Sequence, residues 1–246
     1  MAERRFYQGE TFANYDPGEL LQNAEFEDCV FDHCRWLGTR VQNCRFSACT
    51  FDHCNFSGVV FSFTTMKDAW LLNSAFRSMA WGGLQGKSGV FQPFGKIKNC
   101  AFRYNDFSGM ALNGFDWTGA ELQQCTFDDT RLAGASFYGV RLGGTRFTRC
   151  DLQKADLRTA EEYVIDLETN KLKGARFSFP DVVRLLDGTG IVMPGKGARD
   201  WLPWRGDSPR GGEMSRSDRG DGALFALDAK RPEGWLLTKN LTNNGI

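Results

Sequence analysis

Apolar residues recur at every fifth position along most of the chain. The recurrence is unbroken from Leu21 to Trp81 and again from Ile97 to Leu157. Two residues before each apolar position the side chain is usually small or a thiol, as at Ala24 and Cys29. A helix repeats every 3.6 residues and a flat strand every 2, so neither element produces this pattern. Each five-residue unit must turn a corner and return the same two positions to the interior, which predicts a coiled, all-β chain.

The repeat unit resembles that of a known family. Residues 155–158, Ala-Asp-Leu-Arg, and residues 150–153, Cys-Asp-Leu-Gln, are similar to the unit A(D/N)Lxx of the pentapeptide-repeat family. The resemblance covers roughly residues 20–160 and implies an all-β solenoid, a right-handed quadrilateral β-helix with four units per coil. We therefore expect about six to seven coils at residues 21–160, a rod of roughly 30 Å at ~4.8 Å per coil.

A coil of four units places residues twenty apart on top of each other. The tetrapeptide Phe-Asp-His-Cys occurs at 31–34 and again at 51–54. Because stacked positions interact as cross-strand pairs do, we expect His33 to lie on His53 and Asp32 on Asp52.

The eight cysteines all occupy the small inward position of the repeat. Zinc sites favour two ligands separated by two to four residues at a turn, whereas these thiols fall on different faces or different coils. Free cysteine packs as a small apolar side chain, and thiols stay reduced in a cytosol. We therefore predict eight core thiols, with no metal site and no cofactor.

Between Trp81 and Ile97 the frame slips by one residue, so residues 82–96 are predicted to form a loop that interrupts the coil. Its glycines and its proline explain a turn, but exposed phenylalanines would need another reason. A partner-binding loop is one interpretation. The alternative is that Phe91 and Phe94 fold back to patch an imperfect coil. The candidate partner-binding residues are Leu84, Lys87, Phe91, Phe94 and Lys96.

Both ends of a solenoid need a cap, because the terminal coils present unpaired backbone and apolar surface. We assign residues 1–20 to an N-terminal cap and 161–193 to a C-terminal cap with a short helix that begins at Pro180. The C-terminal segment is similar to that of gyrase-protecting pentapeptide-repeat proteins, which implies a homodimer interface, the alternative being a capped monomer. The residues concerned are Phe179, Val182, Val183, Leu185, Leu186, Ile191 and Met193.

Composition restricts the classes of function. Thirty basic and thirty acidic residues give a formal net charge of zero, so no long-range field attracts nucleic acid or an anionic membrane. No uncharged apolar run is long enough to span a bilayer, which favours a cytoplasmic protein. Both histidines are predicted on one outward column, away from any obvious nucleophile, and this argues against an enzyme. Residues 194–246 are rich in Gly, Arg, Asp and Ser, and are predicted to be a disordered tail.

The layout is similar to that of Qnr-type quinolone-resistance proteins and of immunity proteins against peptide toxins. This resemblance implies a non-catalytic partner of DNA gyrase or another type II topoisomerase, with no nucleic-acid, membrane or small-molecule partner. A mimic of duplex DNA should be acidic, yet residues 1–193 hold 21 basic and 23 acidic residues. The alternative is a protein-interaction scaffold or effector module with an unrelated partner.

Overall fold

The chain forms a four-faced coil of short parallel strands. The computed structural model describes residues 4–84, 92–186, 189 and 191; Lys87, Phe91, Met193 and the predicted tail 194–246 lie outside the described residues. Face one contains strands Arg5–Gln8, Ala24–Glu27, Arg45–Ser47 and Thr65–Lys67. Face two contains Thr11–Ala13, Val30–Asp32, Thr50–Asp52, Ala69–Leu72 and Phe94–Lys98. Face three contains Arg35–Leu37, Asn55–Ser57, Ala75–Arg77, Cys100–Arg103 and Ala120–Gln123. Face four contains Leu20–Gln22, Arg40–Gln42 and Val60–Ser62.

The later coils continue these faces with shorter strands and isolated bridges. Single bridges join Ala80 to Asp106 and Asp106 to Thr126, which extends face four. The strands that follow on face four are Thr126–Asp128, Arg146–Thr148 and Val164–Ile165. Bridges from Asp116 through Ser136 to Asp156 extend face two, where Asp156–Leu157 pairs with Arg176–Phe177.

The register confirms a coil of twenty residues. Phe26 lies beside Phe46 and Asp32 beside Asp52. Three places depart from twenty: Arg5 pairs with Ala24, a step of nineteen, Ala75 pairs with Ala101, a step of twenty-six, and Arg146 pairs with Val164, a step of eighteen. The second step shows that the interrupting loop adds six residues to one coil.

The solenoid has about eight coils, not the six to seven expected. On face three, one residue from each of eight successive coils pairs with its counterpart on the next coil. These residues are Tyr15, Arg35, Asn55, Ala75, Ala101, Glu121, Arg141 and Glu161. The expectation of a separate cap at 1–20 is corrected, since strands Arg5–Gln8 and Thr11–Ala13 already pair with the next coil. At the other end the coil continues to Phe177, into the segment expected as a cap.

Most corners between faces use a residue in the left-handed backbone region. His33 has φ 55° and His53 has φ 50°, and a glycine takes the same corner position on face three at Gly38, with φ 64°. Asparagine, aspartate, histidine and glycine tolerate this region best, which explains why they are frequent at the second position after a buried apolar residue.

The core consists of aromatic columns that run along the solenoid. Phe127 has no exposed surface and stacks between Phe107 and Phe147, with ring centroids 4.8 and 4.9 Å away. Phe76 stacks in the same way on Phe56 and Phe102, at 5.0 and 4.9 Å. These spacings equal the separation of neighbouring strands in a sheet, so backbone pairing and ring stacking share one repeat distance.

All eight cysteines are free and buried, which confirms the predicted core thiols. Their sulfhydryl groups donate to carbonyl oxygens of the preceding coil, as from Cys54 Sγ to Phe31 O at 3.2 Å and from Cys150 Sγ to Phe127 O at 3.2 Å. Burial raises the pKa of the Cys49 and Cys54 thiols to about 12 and the pKa of Cys100 and Cys125 to about 11. These side chains therefore remain protonated, unreactive packing groups at neutral pH.

Helix is almost absent from the described residues. The two helical segments are the 3-10 turns Trp81–Gly83 and Asp181–Leu186. The second occupies the place where the sequence predicted a short helix after Pro180. In that part of the chain, no helix is both long and apolar enough to cross a membrane.

Candidate partner-binding surface

In the chain, the insertion falls between the coil that contains Met66 and the coil that contains Leu112. The chain enters it after the 3-10 turn Trp81–Gly83, and Leu84 is bridged to Thr64 on the previous coil. A Cβ atom at Gly83 would lie 2.8 Å from the carbonyl oxygen of Phe61, so the close approach of the two backbones requires glycine there. The chain returns to the coil at the strand Phe94–Lys98 on face two.

Phe94 fills the core beside the insertion. Only 2% of its surface is exposed, and its ring packs edge-on against Trp81 at 5.0 Å and tilted against Phe115 at 6.0 Å. Its backbone pairs with Ala69 of the preceding coil, so Phe94 occupies a position that holds a small residue one coil earlier. Leu84 is also buried. Leu84 and Phe94 are therefore not part of an exposed contact surface, and the burial of Phe94 supports the alternative interpretation, in which it folds back to patch the coil.

An exposed surface does flank the insertion, on face two. Trp70 is 48% exposed, and the ammonium group of Lys96 lies 5.5 Å from the centre of its ring. Beside them a depression of about 440 Å³ is lined in part by Lys96, Lys98, Asp116 and Phe115. We call Trp70, Lys96, Lys98 and Asp116 the loop-flanking surface. The structure describes three of the residues that were expected to bind a partner: Leu84, Phe94 and Lys96. Among these three, Lys96 is exposed.

Sequence reasoning missed Trp70 and Lys98. Trp70 precedes the buried Leu71 by one residue, and Lys98 follows the buried Ile97 by one. Both positions point outward in every repeat. A large aromatic residue at an outward position, close in the coil to an insertion, was the signal that could have identified this surface.

A second depression, of about 480 Å³, lies on face three. Its floor includes Ala75 and Ala101, and its sides include Leu37, Arg77 and Arg103. The guanidinium group of Arg77 lies 5.7 Å from the centre of the Tyr104 ring, which is 54% exposed. Small residues stacked on two successive coils create the depression.

The described faces carry charges of both signs. On face one Glu25 accepts a hydrogen bond from Arg45 at 2.8 Å. On face two Asp156 accepts one from Arg158 at 2.7 Å, and this contact with the arginine holds the pKa of the Asp156 carboxyl below its usual range. Opposite charges placed one coil apart or side by side cancel at long range. A partner that binds these faces would therefore be recognised through local groups rather than through a uniform electrostatic field.

Two family models of pentapeptide repeats match the regular parts of the coil, one at residues 21–65 and the other at residues 100–137 and 125–160. The chain is a pentapeptide-repeat protein. The two matches leave out residues 66–99, which contain the insertion and Trp70, Lys96 and Lys98 of the loop-flanking surface.

Three relatives illustrate the similarity. The chain is 32% identical over 82 residues to the quinolone resistance pentapeptide repeat protein QnrB96 of Scandinavium goeteborgense; the match spans 33% of this chain and 36% of the relative, about a third of its length. A trypsin-treated QnrB1, a plasmid-mediated fluoroquinolone resistance protein, superposes with a TM-score of 0.38 at 19% identity, covering 78% of this chain and 98% of QnrB1. HetL of Nostoc sp. strain PCC 7120, involved in heterocyst differentiation regulation, superposes with a TM-score of 0.38 at 15% identity, covering 71% of this chain and 87% of HetL.

At the C-terminal end of the pentapeptide-repeat coil, apolar side chains are exposed. Phe179 is 73% and Ile191 58% exposed. Val182, Val183, Leu185 and Leu186 are half-buried in the 3-10 helix, which lies against the strand Val164–Ile165. Val164 is itself 50% exposed. The homodimer interface assigned to these residues from the sequence stays a prediction.

Proposed function

We propose that this pentapeptide-repeat protein is a non-catalytic binding protein that docks on DNA gyrase or another type II topoisomerase and protects it from a poison. The observation that carries the proposal is the 32% identity to a quinolone-resistance protein. It is supported by a rigid solenoid in which one insertion is held by buried anchors, Leu84 and Phe94. The poison is a quinolone or a peptide toxin, and the protein acts in the cytoplasm, where gyrase works.

The loop-flanking surface is the part of the coil that we assign to gyrase binding. Exposed aromatic residues are enriched among the residues that dominate binding energy, and Trp70 is such a residue. Lys96 and Lys98 add positive charge next to its ring, which suits an acidic region of the partner. Because acids and bases alternate on the faces, docking by local contacts explains recognition better than imitation of a uniformly acidic duplex.

The homodimer belongs to the same proposal. Phe179, Val164 and the half-buried face of the helix Asp181–Leu186 would be covered if two copies met at their C-terminal ends. Such an arrangement buries apolar surface that the described part of one chain leaves in water. A dimer would also present the loop-flanking surface twice to a two-fold symmetric enzyme.

A direct binding measurement tests the assignment. The double variant Lys96→Glu and Lys98→Glu is expected to weaken binding to purified DNA gyrase by at least ~10-fold, because like charges then face an acidic partner. Trp70→Ala should cost about 2 kcal/mol of binding free energy. Biolayer interferometry with immobilised gyrase gives both values.

The matched control is the pair Lys171→Glu and Lys173→Glu, which reverses two exposed lysines at the other end of the coil. It should bind as the wild type does. Equal affinity of all variants would remove the loop-flanking surface from the proposal. Absence of any binding to gyrase would favour the scaffold function, which the mixed charge and the basic depression with Arg77 and Arg103 support.

A further inference from the structure

The only two histidines of the chain stack on each other at one corner of the coil. Their rings are parallel within 6° and their centroids are 4.7 Å apart, as the repeated Phe-Asp-His-Cys segment predicts. We propose that Asp32, His33 and His53 form a binding site for a divalent transition-metal ion of the zinc and nickel class. This site is independent of gyrase binding.

The three side chains already face one another. The Nδ1 atom of His33 lies 2.7 Å from Oδ1 of Asp32, and Nδ1 of His53 lies 4.0 Å from the same oxygen. One candidate ligand atom from each residue falls within 4.8 Å of the other two. Ligand bonds of ~2.0–2.2 Å place neighbouring ligands of a zinc ion roughly 3–3.5 Å apart. Shifts on the order of 1 Å convert the present cluster into a ligand set.

The side chains are free to make those shifts while the backbone holds their positions. The side chains of Asp32, His33 and His53 are 40%, 57% and 49% exposed, so they can rotate and tilt into solvent. The backbone beneath them is fixed, because the preceding Phe31 and Phe51 stack in the core at 4.9 Å. A rigid support with adjustable side chains is a suitable base for a surface metal site.

A second carboxylate adds to the negative charge. Oδ1 of Asp52 lies 3.0 Å from Nδ1 of His53, and it accepts a hydrogen bond from Nδ2 of Asn73 at 2.8 Å. Two carboxylates beside two imidazoles compensate the charge of a dication. Asp52 is therefore placed to orient His53 or to serve as a further ligand.

The donor set selects the class of ion. Imidazole nitrogen suits zinc, nickel and copper, whereas magnesium and calcium prefer sites made entirely of oxygen. Cys34 and Cys54 follow the two histidines in sequence, but their sulfur atoms point into the core and donate to backbone carbonyls, so they do not contribute. Three protein ligands leave coordination positions open on the solvent side.

Nuclear magnetic resonance of the histidines tests the site directly. In the full-length chain, freed of metal with EDTA and kept reduced, Zn²⁺ should shift the imidazole resonances of both histidines and saturate at one ion per chain. Mg²⁺ should leave them unchanged. Because the chain has no other histidine, every imidazole signal reports on this site.

Substitutions identify the ligands. His33→Asn and His53→Asn should each lower the Zn²⁺ affinity by at least ~10-fold, since even the loss of a residue that only orients a ligand costs that much. Asparagine fits the backbone, because Asn73 and Asn99 occupy the same corner with φ of 47° and 53°. Equal melting temperatures in EDTA would show that the variants fold.

Asn43→Ser is the matched control. Asn43 occupies the equivalent corner of face four with φ 52° and stacks on Asn23 through a hydrogen bond of 2.7 Å. It should leave Zn²⁺ affinity unchanged. Imidazole resonances that do not move in a large excess of Zn²⁺, or an affinity that survives both histidine substitutions, would overturn the proposal and leave only a stacked pair of imidazoles beside two aspartates.

Discussion

Phe127→Ala is expected to lower the free energy of unfolding by about 3–5 kcal/mol. The ring of Phe127 is completely buried, stacks on Phe107 and Phe147 and packs edge-on against Trp117 at 5.6 Å. Alanine removes the contacts of one coil with both neighbours and leaves a cavity, which the paired strands on either side cannot collapse to fill. Urea unfolding followed by circular dichroism measures the loss.

Phe127→Leu is the matched control for that substitution. Leucine already occupies the same inward position on the adjoining faces at Leu122 and Leu132, so it fits the repeat. Its cost should stay below about 1.5 kcal/mol. An alanine variant no less stable than the leucine variant would show that the aromatic columns contribute little to the cohesion of the coils.

Alkaline pH is expected to unfold the protein steeply. The pKa of Cys49 and Cys54 is raised to about 12, and that of Cys100 and Cys125 to about 11, because burial opposes the thiolate. An exposed thiol ionises near pH ~8.5, so the unfolded chain releases protons that the folded chain keeps. The stabilisation is complete below that value and is lost as the pH rises towards 11–12. Each thiol contributes a slope of about 1.4 kcal/mol per pH unit, so four thiols exhaust a typical stability of about 5–15 kcal/mol within a few pH units.

Cys49→Ala combined with Cys54→Ser separates the thiols from other alkaline effects. Alanine and serine occupy the same inward columns one coil later, at Ala69 and Ser74. Removal of two titrating groups should reduce the pH dependence of the unfolding free energy and move the alkaline transition to higher pH. Thiolate absorbance that develops near pH 9 while the native circular dichroism persists would contradict the burial argument.

The sequence predicted the repeat of the fold well, because five-residue spacing is a direct consequence of four-sided coiling. It missed the first coil because Arg5 pairs with Ala24 one residue short of the regular step. Tyr7 and Phe12 therefore stand one position out of the frame that runs from Leu21. At the C-terminal end Arg146 pairs with Val164, two residues short of the regular step of twenty. Ile165 therefore also falls outside the five-residue frame of the sequence.

The candidate surface was harder to predict than the coil. Composition alone does not show whether a phenylalanine in a glycine-rich insertion faces solvent or fills a gap. Phe94 fills one, because its ring packs between those of Trp81 and Phe115 in the core. The exposed aromatic residue is instead Trp70, twenty-four residues earlier in sequence and adjacent only through the coil. The stacked histidines, by contrast, followed directly from a repeated tetrapeptide and the twenty-residue register.

Protection of DNA gyrase from a fluoroquinolone is the measurement that tests the proposed function most directly. Purified protein added to a supercoiling reaction inhibited by the drug should restore supercoiled product. Replacement of residues 85–91 by a Gly-Ser linker of equal length should abolish the rescue, while Lys171→Glu with Lys173→Glu should retain it. Failure of the wild-type protein to restore supercoiling across a wide molar excess, for quinolones and peptide poisons alike, would contradict topoisomerase protection.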